Sequence, residues 1–115
     1  MGDTIFSKII RKEIPADIVF ESENVLAFKD INPQAPVHIL IIPKIEIPRI
    51  SDLDMKEHGY LITEIFDIAN KLAKDFQISE DGFRLVFNCG SNGGQEVEHL
   101  HLHLLGGRQM KWPPG

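Results

Sequence analysis

Alternating histidines and leucines near the end of the chain constrain the fold most strongly. In the segment Glu98–Leu105, three of the chain's five histidines stand two residues apart, with leucines between them. Because successive side chains on a β-strand point to opposite faces, this spacing predicts a strand with an aliphatic face in the core. His99, His101 and His103 would then stand in a row on the other face.

The composition limits the classes of protein to which the chain can belong. With 115 residues, 43% of them hydrophobic and 25% charged, the sequence predicts one globular domain spanning residues 1–115. Its single cysteine, Cys89, excludes an intramolecular disulfide and favours a reducing compartment. With neither a secretory signal nor a membrane-spanning run, we expect a cytoplasmic protein with no membrane partner. The formal charge of −5 argues against a nucleic-acid partner, because a duplex would on average be repelled.

Hydrophobic periodicity and turn residues predict the other elements. A short helix is expected over Thr4–Arg11, and a long amphipathic helix of about five turns is expected after the capping residues Ser51–Asp54. Four further strands are predicted at Asp17–Glu21, Val25–Lys29, Val37–Ile42 and Phe83–Asn88. Five strands without βαβ alternation predict an α+β domain with a five-stranded, mostly antiparallel sheet.

The histidine row can be interpreted as structural, metal-binding or catalytic. Crowding three titratable rings has a cost that packing does not offset, so a structural role is disfavoured for the row, although it is expected for the isolated His58. In a zinc site, His38 could add a ligand to a His-x-His pair. However, rings four residues apart on a strand are separated by roughly 13 Å, so His99 and His103 cannot share one zinc ion.

A catalytic role uses the spacing of the row better. Alternate imidazoles lie roughly 6.6 Å apart, so a tetrahedral phosphorus with its oxygens can bridge two of them. The central ring would be the nucleophile, and a flanking ring would donate to a phosphoryl oxygen or a leaving group. The glycine-rich turn Cys89–Gly94, just before the row, would let backbone N–H groups approach an anion.

The row, followed by two apolar residues, resembles the signature of the histidine triad (HIT) superfamily of nucleotide hydrolases and transferases. Nearly the whole chain resembles the Hint branch, through the segments Asp3–Phe6, Ile9–Ala16, Asp30–His38, Gly93–Gln95 and Leu104–Gly115. This resemblance implies a HIT-like fold and a homodimer whose two sheets form one continuous sheet. It also implies hydrolysis of purine nucleoside phosphoramidates, which releases a nucleoside monophosphate from an amine, without metal or cofactor.

The resemblance further implies a role for each histidine of the site. His101 would attack the α-phosphorus to form a nucleotidyl-histidine intermediate, which water then resolves. His103 would contact the phosphoryl group or the leaving nitrogen. His99 would fix the tautomer of His101, largely through its backbone carbonyl, and His38 would stand behind the row as an orienting partner.

The nucleotide-binding residues are implied in the same way. Asp30 would accept hydrogen bonds from the ribose hydroxyls. Apolar walls around the base would come from Ile5, Phe6, Ile9, Ile14, Phe28 and Ile31. The phosphate would be held by Asn88, Gly94, Gln95 and the backbone at Val97, and Glu96 is also expected among the nucleotide-binding residues. Trp112, in the C-terminal tail, would approach the site of the partner subunit.

Two residues depart from the family pattern. Glu96 stands where animal members have a serine that can donate to the phosphate. A carboxylate there must point away, be protonated or meet a cationic leaving amine. Glu98 replaces a residue that is usually tyrosine, which leaves the preference for the leaving group open.

Three other functions stay open at the level of sequence. A dinucleoside polyphosphate hydrolase of another branch is one, although the tail Trp112–Pro114 argues against it. A nucleotide-binding interaction module with little catalytic role is the second, because an intact site does not establish a physiological role. A zinc-binding protein is the third.

Overall fold

A computed structural model describes residues 3–115, so the first two residues of the predicted domain lie outside the described part. Five strands form one sheet in the order β1-β2-β3-β5-β4, and every neighbouring pair is antiparallel. The strands are β1 Ile18–Glu21, β2 Val25–Lys29, β3 Val37–Pro43, β4 Phe83–Phe87 and β5 Leu102–Gly106. The helices are α1 Ile5–Ile10 and α2 Met55–Asp75, with a 3₁₀ turn at Ile50–Asp52. The predicted α+β architecture is confirmed.

The long helix α2 covers one face of the sheet. It begins at an N-cap, Asp54, whose side chain accepts a hydrogen bond from the N–H of Lys56, and its buried residues recur at the helical period. They pack on the alternate residues of the central strands that point to the same side, namely Val25, Ala27, Ile39, Ile41, Leu102 and Leu104. The leucines of the predicted alternating segment therefore lie in the core, as expected.

The short helix α1 covers part of the opposite face. Thr4 and Ser7 form a reciprocal capping box at its start, which fixes a helix of only six residues. Phe6 and Ile9 then pack on the side chains of β2 and β3 that point away from α2, namely Leu26, Phe28, Leu40 and Ile42. Because His103 pairs directly with Leu40, its ring lies on this same face.

The strand predicted from Glu98 begins only at Leu102, so the prediction is wrong for its first four residues. The preceding segment bonds to an irregular part of the chain instead of to the sheet, since the N–H of Leu100 donates to the carbonyl of Ile47 at 2.7 Å. Leu100 is nevertheless buried, in a small cluster with Ile47 and Leu61. His99 and His101 are thus held by a loop, and only His103 lies on β5.

Two further features bear on the predictions. His58 lies on α2, where its Nδ1 accepts a hydrogen bond from the N–H of Asp54, in keeping with the structural role expected for it. Among the described residues, neither helix combines the length and the apolar character that crossing a bilayer requires.

Candidate active site

Four histidines from two strands and one loop meet on the α1 face of the sheet. The ring of His103 on β5 lies 5.2 Å from that of His38 on β3 and 5.0 Å from that of His101, measured between centroids. The distance between the His101 and His103 rings is shorter than the 6.6 Å expected of a regular strand, because His101 precedes β5. His38 and His101 are buried, whereas His103 is half-buried and reaches the open side of the cluster.

The hydrogen bonds of His101 determine which of its nitrogens is free. Its Nδ1 lies 2.6 Å from the carbonyl oxygen of His99. A carbonyl can only accept, so Nδ1 carries the proton and Nε2 holds a free lone pair. The edge of the Phe6 ring packs on His101 at 5.0 Å and an interplanar angle of 87°. His101 is therefore a neutral imidazole, fixed in one orientation, with one nucleophilic nitrogen.

The tautomers of His38 and His103 follow from a main-chain donor. The N–H of Gln34 donates to Nδ1 of His38 at 3.0 Å, so the neutral His38 ring carries its proton on Nε2. That Nε2 lies 2.9 Å from Nδ1 of His103, which must accept. His103 therefore carries its own proton on Nε2, in a ring whose centroid lies 5.0 Å from that of His101.

His99 is the most buried ring of the four, with 1% of its surface exposed. Its Nε2 donates to the carbonyl of Pro43, the last residue of β3, at 2.8 Å. This bond ties the loop that carries His101 to the sheet, while the His99 carbonyl orients the His101 ring. His99 thus acts on the site through its backbone, as the resemblance implies.

Burial keeps the four rings neutral near pH 7. It lowers the pKa of His99 and of His101, although a backbone carbonyl partner acts in the opposite direction on each. The pKa of His103 falls to about 4, because burial is reinforced by the rings of His101 and His38. For His38, burial outweighs the Asp30 carboxylate, and its pKa is also lowered. A neutral cluster is what a nitrogen nucleophile with a neighbouring donor requires.

Asp30 stands at the edge of the histidine cluster. One carboxylate oxygen lies 3.4 Å from Nε2 of His38, and the other accepts the N–H of Asn32 at 2.8 Å. The N–H of Asp30 donates to the carbonyl of His38, which closes the loop between β2 and β3. The carboxylate is thereby held beside the reactive rings, where the hydroxyls of a ribose could reach it.

The apolar residues expected around a base fall into two groups. Phe6, Ile9 and Phe28 are buried in the cluster beneath α1, and Ile14 packs at its margin. Ile5 is half exposed, and Ile31 is 99% exposed at the tip of the loop after β2. In this chain the structure therefore brings four of the six expected wall residues together and leaves Ile5 and Ile31 at the surface.

Two expected phosphate-binding side chains brace the glycine-rich turn. Asn88 donates from Nδ2 to the carbonyl of Gly93 at 2.7 Å. Gln95 accepts from the N–H of Gly90 at 3.0 Å and donates to the carbonyl of Val97 at 2.9 Å. These amides hold the shape of the turn, which the sequence alone did not indicate.

The glycine-rich turn and the residues after it contain main-chain donors both with and without a hydrogen-bond acceptor. Gly94, at a φ of +79° that favours glycine, and Gln95 both donate their N–H groups to carbonyls within the turn. Within residues 3–115, the N–H groups of Glu96 and Val97 make no such bond. In the same described part of the chain, those of Ser91, Asn92 and Gly93 also make none, so all five are main-chain groups that an anion could use.

The two unusual glutamates differ in their surroundings. Glu98 accepts a hydrogen bond from Nε of Arg49 at 2.9 Å, in an exposed ion pair. Glu96 is exposed and near enough to His101 to oppose the lowering of its pKa. Trp112 is 83% exposed, in a tail anchored by a bond from Arg84 to the carbonyl of Lys111.

The side chains of Asp30, His38 and His103 also form a set of metal-type donors. One ligand atom from each lies within 4.8 Å of the others. Two neutral imidazoles and a carboxylate are a ligand set that suits zinc. Of the row itself, His103 is the member that belongs to this set.

Comparison with known proteins places this site in a family. The sequence matches the family model described as "HIT domain" over residues 11–110. It is 54% identical to a purine nucleoside phosphoramidase of Escherichia coli K12 over 108 residues, 94% of this chain and 90% of that protein. It is 52% identical to a 14 kDa zinc-binding protein of Zea mays, over 97% of this chain and 88% of that protein.

The structure is similar to that of a HIT family hydrolase from Legionella pneumophila. The TM-score is 0.95 at 57% sequence identity, covering 98% of this chain and 100% of that one. Fold and site together therefore define a histidine triad protein, in which a neutral ring is fixed beside a hydrogen-bond donor. The chain belongs to the HIT family, and the predicted resemblance to its Hint branch is confirmed.

Proposed function

We propose that this protein hydrolyses purine nucleoside 5′-phosphoramidates to the nucleoside monophosphate and an amine, through a covalent nucleotidyl-histidine intermediate. The hydrogen bond from Nδ1 of His101 to the His99 carbonyl carries the proposal, because it leaves Nε2 as a neutral nucleophile. Relatives named as a phosphoramidase and as a hydrolase support the class of reaction. Nucleotide binding by Asp30 and the buried wall residues belongs to the same proposal.

The reaction follows from the tautomers of the two reactive rings. Nε2 of His101 attacks the α-phosphorus, the P–N bond to the amine breaks, and the amine leaves with a proton taken from water. His103 donates from Nε2 to the phosphoryl group, where negative charge gathers in the transition state. The N–H groups of Glu96 and Val97 hold the remaining oxygens. Water then breaks the P–Nε2 bond, releases the nucleotide and restores the free imidazole.

Glu96, an exposed carboxylate close enough to His101 to affect its pKa, has a place in this scheme. It would repel a bound phosphate, but it would attract an amine that leaves as a cation. A preference for phosphoramidates of positively charged amines therefore follows from the chemistry of this position.

Release of AMP from adenosine 5′-phosphoramidate tests the proposal. Turnover by the unmodified protein should continue in the presence of a chelator and vanish in His101→Ala. A protein that binds AMP without turning over the substrate would instead be a nucleotide-binding module. Turnover of a dinucleoside polyphosphate in preference to the phosphoramidate would assign the other hydrolase branch.

We further infer a cytoplasmic homodimer formed through the edge of the sheet. β4 is an edge strand in which every residue is half-buried, and Phe66 of α2, 40% exposed, packs on Phe87 beside that edge. A second copy pairing here would cover the edge and this aromatic pair. Sedimentation equilibrium should give twice the chain mass, and Phe66→Glu should shift the protein towards the monomer.

Zinc binding is a second candidate function. The donor set of Asp30, His38 and His103 favours it, together with the name of the maize relative. An ion there would take the place of the proton shared by His38 and His103, so it would inhibit the proposed reaction. Metal analysis of the purified protein, and activity measured with added zinc, distinguish a zinc protein from a metal-free hydrolase.

A further inference from the structure

The loop that orients the histidines has little packing of its own. Residues 31–34 lie between β2 and β3 and are all exposed. Yet the N–H of Gln34, in this stretch, is the donor that keeps the proton of His38 on Nε2. A mobile Gln34 would weaken the preference of His38 for one tautomer, because only the Asp30 carboxylate, 3.4 Å from Nε2, would still favour a proton there. The proton position of His103 would then be less well defined.

The C-terminal tail holds the loop from outside. Directly after β5, Arg108 donates from Nε to the carbonyl oxygen of Gln34 at 3.0 Å. Its neighbour Gly107, at a φ of +90°, lies so close to the loop that an added Cβ would stand 2.9 Å from Cβ of Pro36. The N–H of Gln34 thus donates to His38, and its carbonyl oxygen accepts from Arg108.

These contacts form one continuous series of hydrogen bonds. It runs from Arg108 to Gln34 at 3.0 Å, from Gln34 to His38 at 3.0 Å, and from His38 to His103 at 2.9 Å. Arg108 is always charged at physiological pH, and a charged donor makes a stronger bond to a carbonyl than a neutral one. β5 carries His103, and the chain that leaves β5 supplies Arg108 two residues later. Arg108 therefore stabilises the loop between β2 and β3 that orients His38.

We propose that Arg108 is a positioning residue: by holding Gln34, it keeps His38 in the tautomer that donates to His103. Within residues 3–115, the side chain of Arg108 donates hydrogen bonds to the carbonyls of Gln34 and Gln109 and to none of the histidines. Its effect on the rate rests on the proposed function, whereas its effect on the His38 ring does not depend on any activity.

Nitrogen-15 NMR of the imidazole rings tests the proposal directly. In the unmodified protein the ring nitrogens of His38 should show one tautomer, protonated at Nε2. In Arg108→Ala they should show a mixture of two tautomers, and Arg108→Lys, which keeps a charged donor, should restore the single form. Lys71→Ala is the control, because it removes an exposed hydrogen bond from a charged side chain, to Asp75 on α2, on the face of the sheet opposite the histidines.

Kinetics supply the second readout. The loss of one exposed hydrogen bond predicts that kcat falls by about 3- to 10-fold in Arg108→Ala, with KM nearly unchanged. Lys71→Ala should stay near the unmodified rate. Unchanged His38 signals in Arg108→Ala would overturn the proposal, as would an equal loss in both variants. If the unmodified protein did not turn over the phosphoramidate, the proposed function would fail, while a tautomer change confined to Arg108→Ala would still support the positioning role.

Discussion

The depressed pKa of His103 makes the stability of the protein depend on pH in a defined window. In the folded protein this pKa is about 4, compared with 6.5 for an ordinary histidine, because the ring is buried beside two other imidazoles. Between pH 6.5 and 4 the unfolded chain binds a proton at this position, whereas the folded protein does not. The free energy of unfolding must therefore fall as the pH is lowered through this window, and His103 has no such effect above it.

The size of the effect follows from the same two values. The difference between 6.5 and about 4, at about 1.4 kcal/mol per pH unit, corresponds to a loss on the order of 3 kcal/mol from this one ring. For a domain of ordinary stability, this is a substantial fraction of the total. Urea unfolding, followed at a series of pH values between neutrality and pH 4, measures it.

The matched variant is His103→Asn. An asparagine oxygen can still accept the hydrogen bond from Nε2 of His38, but the side chain does not titrate. The other buried histidines are present in both proteins, so the comparison measures the titration of His103 together with its coupling to His101 and His38. We expect the unmodified protein to lose about 3 kcal/mol more than the variant between neutrality and pH 4. Parallel curves for the two proteins would refute the reasoning.

Three further predictions concern the turn, the ribose and the nucleophile. Gly93→Ala places a Cβ 2.3 Å from the backbone oxygen of Cys89, so the turn must shift and kcat/KM should fall by about 100-fold. Gly59→Ala is its control: the added Cβ meets open space, and kcat/KM should be unchanged. Asp30→Asn should raise KM about tenfold for a ribonucleotide substrate and much less for its 2′,3′-dideoxy analogue. Because burial lowers the pKa of His101, the acidic limb of the kcat/KM profile should lie below pH 6.5, and a limb above that value would contradict a neutral buried nucleophile.

Local sequence patterns predicted those elements of the fold whose formation depends mainly on residues close together in the chain. The capping box at Thr4 and the periodic apolar residues of α2 are properties of short segments, and both helices are found where expected. The start of β5 was misplaced, because Leu100 satisfies the alternation while bonding to Ile47, more than fifty residues earlier in the chain. The periodicity of apolar residues indicates which side chains are buried. It does not indicate which segment pairs with their backbone N–H and C=O groups.

The sequence predicted most residues of the candidate site but only some of the hydrogen bonds between them. The motif and the family resemblance brought together the four histidines and Asp30. The pairing of His38 with His103 depends on the register of β3 and β5, which the sequence does not specify. The tautomer of His38 depends on a main-chain N–H, and the position of a main-chain group cannot be read from the residue type. For the same reason, Gln34 was missed as part of the site.

The central claim is a covalent bond between the nucleotide and Nε2 of His101. Mixing the protein with an adenosine 5′-phosphoramidate, quenching within one turnover and measuring the intact mass tests it most directly. We predict a transient adduct of one adenylyl group, mapped by peptide fragmentation to His101 and missing from His101→Ala. Full turnover by the unmodified protein with no adduct at any quench time, under conditions in which a synthetic phosphohistidine survives the quench, would contradict the account.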